Sequence, residues 1–163
     1  MNSAELRTIR EALGLSRDEA ASWLEVSSTR LRQWEDGNRP VPVGVLTQMR
    51  SLATEAERFT ALEVRGRVVD EPTGEAVVLL RYRSAEDRVT DEADGHDPVD
   101  RADRGCDLPV VVQAVASWRA VQILIGHGHV VRLAWFNPRE YSQWLGDRVN
   151  TAAAHRQWAT TQQ

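Results

Sequence analysis

Five polar side chains crowd into six residues of this chain: Ser28, Thr29, Arg30, Arg32 and Gln33. Leu31 and Trp34 are interleaved with them at helical spacing. A helix over this stretch buries the apolar pair and turns hydroxyls, guanidiniums and an amide outward. Those groups suit the recognition of nucleic-acid edges. Arginine can contact guanine O6 and N7 together, and glutamine can contact adenine N6 and N7. Asn38 and Arg39 follow directly and suit phosphate oxygens.

Such a face is useful only if it is held rigidly and exposed. The stretch Ser16 to Gly37 reads as two short helices joined by a tight turn at Glu25, Val26 and Ser27. Ser16 followed by Glu19 has the spacing of a capping box, as has Asn2 followed by Glu5. The first helix then runs to about Leu13, with Leu6, Ile9, Ala12 and Leu13 as its apolar set, and Gly14 stops it. Ala20, Ala21, Trp23 and Leu24 are the apolar set of the second. Ser27 caps the third, which ends near Gly37. Arg39 and Pro40-Val41-Pro42 make a stiff turn into a fourth helix. A helical bundle without a ligand would also show serine caps and Leu/Trp periodicity. The short helices, the brief turn and the polar outward face instead favour one exposed helix on a two-helix support, the layout that enters a DNA major groove.

Residues 6 to 53, through LRTIREALGLS, RDEAASWLEVS and STRLRQWEDG, resemble the Cro-type (XRE) helix-turn-helix of phage and bacterial repressors. The resemblance covers roughly a third of the chain. It departs from the family at Glu25, where a glycine is usual and a left-handed backbone is implied. The opening MNSAELRTIREALGLS, with WEDGNRPVP and a long fourth helix, is also similar to the anti-CRISPR-associated autorepressors. The resemblance implies base-edge contacts for Ser28, Thr29 and Arg30, and, one turn on, for Arg32 and Gln33. It implies phosphate contacts for Arg17 at a helix N-terminus, with Ser27, Asn38 and Arg39. It further implies a homodimeric repressor, contacting its partner through the C-terminal part, on an inverted repeat of double-stranded DNA in its own operon. Antitoxins that bind a toxin and repress their operon pair this module with a second domain too, and RNA is a further conceivable target.

The remaining residues predict a second module. The fourth helix is expected from about Val43 to Val64, ended by Gly66, with Phe59 and Leu62 needing cover. Arg67-Val68-Val69 and Ala76 to Arg83 read as a hairpin around Glu71-Pro72-Thr73-Gly74. Residues 84 to 107 hold nine acidic side chains against three arginines, a local −6 in a chain of net −4. They read as a mobile acidic loop. A buried helix follows from about Leu108 to Ile125, with Val111, Val115, Trp118, Val121 and Ile125 facing inward. Gly126-His127-Gly128-His129 is a turn, Val130 to Phe136 a strand, and Asn137-Pro138 caps a short helix with Tyr141, Trp144 and Leu145. The tail after Asp147 is expected to be weakly anchored. The fold class is α+β: an all-α helix-turn-helix domain at 1–65, a small α+β dimerisation domain at 66–146, and a tail at 147–163.

Little points to chemistry beyond binding. His127 and His129, with Asp107 or Cys106, lack zinc-ligand spacing. Asp91, Asp94, Asp97, Asp100 and Asp103 lack the calcium-loop pattern. No nucleophile elbow, phosphate-cradling glycine loop or Cys–His constellation occurs, so no enzyme, metal or cofactor is expected. One cysteine excludes an internal disulfide, and the absence of a membrane-length apolar run or secretory signal leads to a cytoplasmic expectation. Charge does not exclude DNA, because outside the acidic loop the chain is about +2 and the local field decides.

Overall fold

The computed structural model describes residues 3–70, 76–87 and 108–162. The chain forms two compact units, Met1–Glu57 and Arg58–Gln163. The elements in order are α1 (Ser3–Ala12), α2 (Arg17–Trp23), α3 (Ser28–Glu35), α4 (Val43–Asp70), β1 (Ala76–Arg81), α5 (Val110–Gly126), β2 (Val130–Trp135), α6 (Pro138–Leu145) and α7 (Ala152–Thr160). The N-terminal unit is helical and the second combines helices with a small sheet, so the fold class is α+β.

Local chemistry sets the ends of the first helices. Ser16 Oγ accepts from Glu19 N at 3.2 Å, and the Glu19 carboxylate accepts from Ser16 N at 2.8 Å. That capping box satisfies two donors that the first turn of α2 leaves free. The two Ser16 hydrogen bonds hold the Glu19 carboxyl below its ordinary value. Ser27 caps α3 through Arg30 N at 3.2 Å. The Asn2 cap lies outside the described residues. Leu6, Leu13, Ala20, Ala21, Leu24, Leu31 and Trp34 are buried, and Leu46, Met49 and Leu52 of α4 are buried with them. Three members of the expected apolar sets are not: Ile9 is half-buried and Ala12 and Trp23 are exposed, because short helices turn only a narrow face inward.

The turn into α3 contains the left-handed residue that the sequence implies. Glu25 has φ 56°, and it is the one non-glycine residue with positive φ among the described residues. Its N–H bonds Ser22 O at 3.2 Å, while Val26 N bonds Ala21 O at 2.9 Å. These bonds close α2 and aim the chain into the Ser27 cap.

The second unit departs from the sequence expectation. Arg67, Val68 and Val69 are not a strand; α4 continues through Gly66 to Asp70. A helical glycine costs only about 1 kcal/mol against alanine, which packing can override. Packing does so here: Arg67 is buried and its Nη2 donates to Val78 O at 3.1 Å. The expected hairpin therefore does not form, and its turn at 71–74 lies outside the described residues. β1 pairs instead in parallel with β2, in register from Ala76↔Val130 to Arg81↔Trp135, with α5 between them in sequence. Parallel neighbours need such a crossover, and they need cover on both faces. On one face Val77 and Leu79 pack with Ala120, Val121 and Leu124 of α5 and with Val64 of α4. Of the two residues that needed cover, Phe59 is buried and Leu62 half-buried.

On the other face an aromatic cluster surrounds Phe136. Tyr82, Tyr141, His155 and Trp158 have ring centroids 5.1–5.4 Å from it. Tyr141 also donates to Asn150 Oδ1 at 2.6 Å. Asn137 and Pro138 open α6 as expected. The tail is anchored: Thr151 caps α7, and Trp158 is 2 % exposed in the aromatic cluster. The inward face of α5 also differs from expectation. Val112, Ala116, Ala120, Val121 and Leu124 are buried, whereas Trp118 and Ile125 are exposed and Val111 and Val115 half-buried. Most of 84–107, with the aspartates, Cys106 and Asp107, lies outside the described residues.

Glu25 supplies a test of the turn. Glu25→Gly removes the Cβ from a left-handed position and is expected to stabilise the N-terminal unit by about 1 kcal/mol. Urea unfolding of the full chain, followed by amide exchange in α1–α3, checks it; a loss of stability would contradict a strained turn.

Candidate nucleic-acid interface

The interface is built from inside outward, and its foundation is a charge. The Glu35 side chain, on the inner face of α3, is 0 % exposed. Arg10 of α1 donates to it from Nε at 2.5 Å and from Nη2 at 3.3 Å. Arg10 Nη1 also donates to Leu15 O at 2.8 Å. Arg17, the first residue of α2, donates from Nε to Glu35 Oε2 at 2.8 Å. One carboxylate thus ties three helices together. Burial acts to raise the Glu35 pKa, but hydrogen bonds and charge from the two guanidiniums outweigh it and hold the carboxyl below its ordinary value.

With Leu31, Trp34 and Glu35 buried, α3 turns its other side to solvent. Thr29, Arg30 and Arg32 are exposed and Gln33 is half-buried. At about 3.6 residues per turn, Thr29, Arg32 and Gln33 share one outward stripe and Arg30 flanks it. Ser28 is half-buried and donates to Asp18 Oδ1 of α2 at 2.5 Å. Arg32 pairs with Asp36 at 3.3 Å, one turn on and largely in solvent. Asn38 and Arg39 are exposed in the loop after α3. That loop folds back on the helix, since Arg39 N donates to Gln33 O at 3.1 Å. Gly37, at φ 74°, supplies the left-handed residue the reversal needs.

Residues 3–53 hold seven arginines and seven acidic residues, so the positive field here is local. Arg7 pairs with Glu11, Arg50 with Glu5, and Arg10 and Arg17 with Glu35. Arg30 and Arg39, at the two ends of the α3 surface, make no ion pair among the described residues. The structure therefore brings Thr29, Arg30, Arg32, Gln33, Asn38 and Arg39 to one solvent-facing surface. Ser27 is engaged as a cap. Arg17 is engaged with Glu35, although its side chain is still 39 % exposed.

Residues 3–53 match the family model of a helix-turn-helix domain. The N-terminal unit is a helix-turn-helix domain. A domain of this kind suggests a DNA-binding regulator. No curated protein matches the chain. No helix among the described residues is long and apolar enough to cross a membrane.

The residues missed from sequence are Arg10, Asp18 and Glu35. Two carried a signal: Arg10 lies four residues after Leu6, and Glu35 four after Leu31. A charge at an inward helical position calls for a partner, and two opposite charges so placed are candidates to meet.

The depressed Glu35 pKa has a definite sign in stability. Its contribution is complete above the ordinary value of 4.5 and fades as pH falls through the lower folded value. Glu35→Gln leaves Arg10 buried without its counter-charge and is expected to cost about 3–5 kcal/mol. It should also flatten the loss of stability on acidification. Urea titrations of both chains between pH 3 and 7 measure this; an unchanged acid limb would deny Glu35 the role.

Proposed function

We propose that this chain is a homodimeric, sequence-specific transcriptional repressor that binds an inverted-repeat operator and controls its own operon. The observation that carries the reading is the outward stripe of α3, with Thr29, Arg32 and Gln33 aligned on a helix whose inner face is clamped. One such helix reads only about four or five base pairs, so two copies about 34 Å apart, one duplex turn, supply the selectivity. The opening sequence and the WEDGNRPVP segment favour a regulator of the anti-CRISPR-associated kind.

Each residue has a role in this reading. Arg32 leaves its exposed pair with Asp36 to contact guanine, and Gln33 contacts adenine. An exposed pair of this spacing is worth about 0.3–0.5 kcal/mol, whereas a bidentate base contact is worth about 1–3 kcal/mol. The exchange is therefore favourable. Arg30 reads from the flank, and Thr29 meets a thymine methyl. Ser28 donates its hydroxyl hydrogen bond to Asp18 and so acts toward a ligand as an acceptor, suited to an exocyclic amine of adenine or cytosine. Ser27 still holds a hydroxyl proton for phosphate, and Arg17, Asn38 and Arg39 complete the backbone contacts.

Selection from random duplexes should return a pseudo-palindrome. Arg32→Ala and Gln33→Ala should each lose about 1–3 kcal/mol on that site and relax the preference at one position per half-site. Arg39→Ala should weaken specific and random duplex alike and lower the salt slope by about 1. Equal losses on specific and random duplex for Arg32→Ala and Gln33→Ala would remove the base-reading role.

A further inference from the structure

Apolar exposure is unevenly placed in this protein. Six of the ten exposed large apolar side chains among the described residues lie between Trp118 and Trp135. Helix α5 contributes most clearly: in seventeen residues it carries a single charged side chain, Arg119. A helix that is apolar all round has two faces to bury. One face, through Val112, Ala116, Ala120 and Leu124, is buried in its own unit. The other runs Val111, Val115, Trp118, Gln122 and Ile125, with spacings of four, three, four and three. This is a heptad seam, the repeat by which one helix packs along another. Trp118 is 53 % exposed and Ile125 56 % exposed.

We propose that this seam is the contact between two copies of the chain, with α5 of each crossing antiparallel about a twofold axis at Trp118. The proposal names the surface that the dimeric reading above requires, and rests on that reading for the choice of occupant. The seam is self-complementary. Trp118 is its midpoint and meets its own counterpart, while Val111 at one end faces Ile125 at the other. None of the five seam positions is charged; the one guanidinium of the helix, Arg119, is half-buried and flanks the crossing point. The exposed apolar residues of β2 fit a second copy less well. Arg81 and Arg83 stand over the Trp135 ring at 5.2 and 6.0 Å, and Arg132 is exposed on the same strand; two such faces would bring guanidiniums together. Area agrees with a modest dimer. With roughly 100–150 Å² available at each of the two most exposed side chains, the seam offers on the order of 400 Å² per copy, the apolar centre of a standard interface of about 800 Å² per partner. A polar rim supplies the remainder.

A cysteine at the crossing point gives a positive test. Axes about 8–10 Å apart, with Cα atoms about 2.3 Å from each axis, bring facing Cα atoms to roughly 3.4–5.4 Å, a span that overlaps disulfide reach. The full-length Trp118→Cys, Cys106→Ser chain should oxidise to a covalent dimer, whereas Gln143→Cys, Cys106→Ser, with its cysteine on exposed α6, should not. Trp118→Glu should sediment as a monomer at concentrations where the native chain is a dimer, with an unchanged far-UV spectrum. A native chain that stays monomeric at about 50 μM, a dimer that survives Trp118→Glu, or a native dimer whose Trp118→Cys variant does not cross-link would each overturn the proposal. The two readings fail separately. A dimer cross-linked through position 118 that binds no duplex leaves the seam in place and removes the repressor. Operator binding by a chain that does not cross-link does the reverse.

Discussion

The N-terminal unit depends on one buried carboxylate. Glu35 sits where a helix of this amphipathicity would ordinarily place a leucine, and it is held there by two arginines from two other helices. An apolar residue could fill the same space with similar or greater stability. What the ion pair adds is direction. Guanidinium–carboxylate bonds fix distance and angle, whereas apolar contact tolerates sliding. A helix that must offer side chains to a rigid ligand gains more from fixed orientation than from an extra increment of stability. The same bonds consume two of the seven arginines of residues 3–53, which explains why a domain with balanced charge concentrates its free cations at Arg30 and Arg39.

Legibility in the sequence followed the range of the forces involved. The caps at Ser16 and Ser27, the stop at Gly14, the turn at Glu25 and the opening of α6 at Asn137 are set by contacts within a few residues, and all were readable. The buried pair Leu31 and Trp34 was readable for the same reason. The junction at Gly66–Asp70 was not. Its glycine and paired valines look like the end of a helix and the start of a strand, and only the hydrogen bond from Arg67 to Val78 O makes continued helix the better choice. The parallel pairing of β1 with β2 was equally hidden, because the partner strand lies some fifty residues away. Trp158 was missed because its cluster is assembled from Tyr82, Phe136, Tyr141 and His155, four separate segments.

The site was legible to the level of residue type and less so to the level of availability. Sequence put Arg17, Ser27 and Ser28 beside the other candidates on equal terms. Geometry separates them: Ser27 caps a helix, Ser28 has donated to Asp18, and Arg17 Nε is bound to Glu35. Each retains some capacity toward a ligand, but none is free to reorient as Arg30 is. A polar residue near a helix end commonly serves the helix first, since an unsatisfied backbone donor costs as much as a lost ligand contact.

The misassigned face of α5 carries a physical lesson about the second unit. The stripe Val111, Val115, Trp118 and Ile125 has a sound helical period, and so has the stripe that is buried. Periodicity identifies a face that wants cover without saying which neighbour provides it. In a helix with one charge in seventeen residues, both faces meet that condition. A two-stranded parallel sheet has room to cover one of them and is itself small. Two-sided apolar character therefore leaves one face of this helix uncovered among the described residues. A monomer has no reason to keep tryptophan and isoleucine in water when serine or glutamate would hold the same helix.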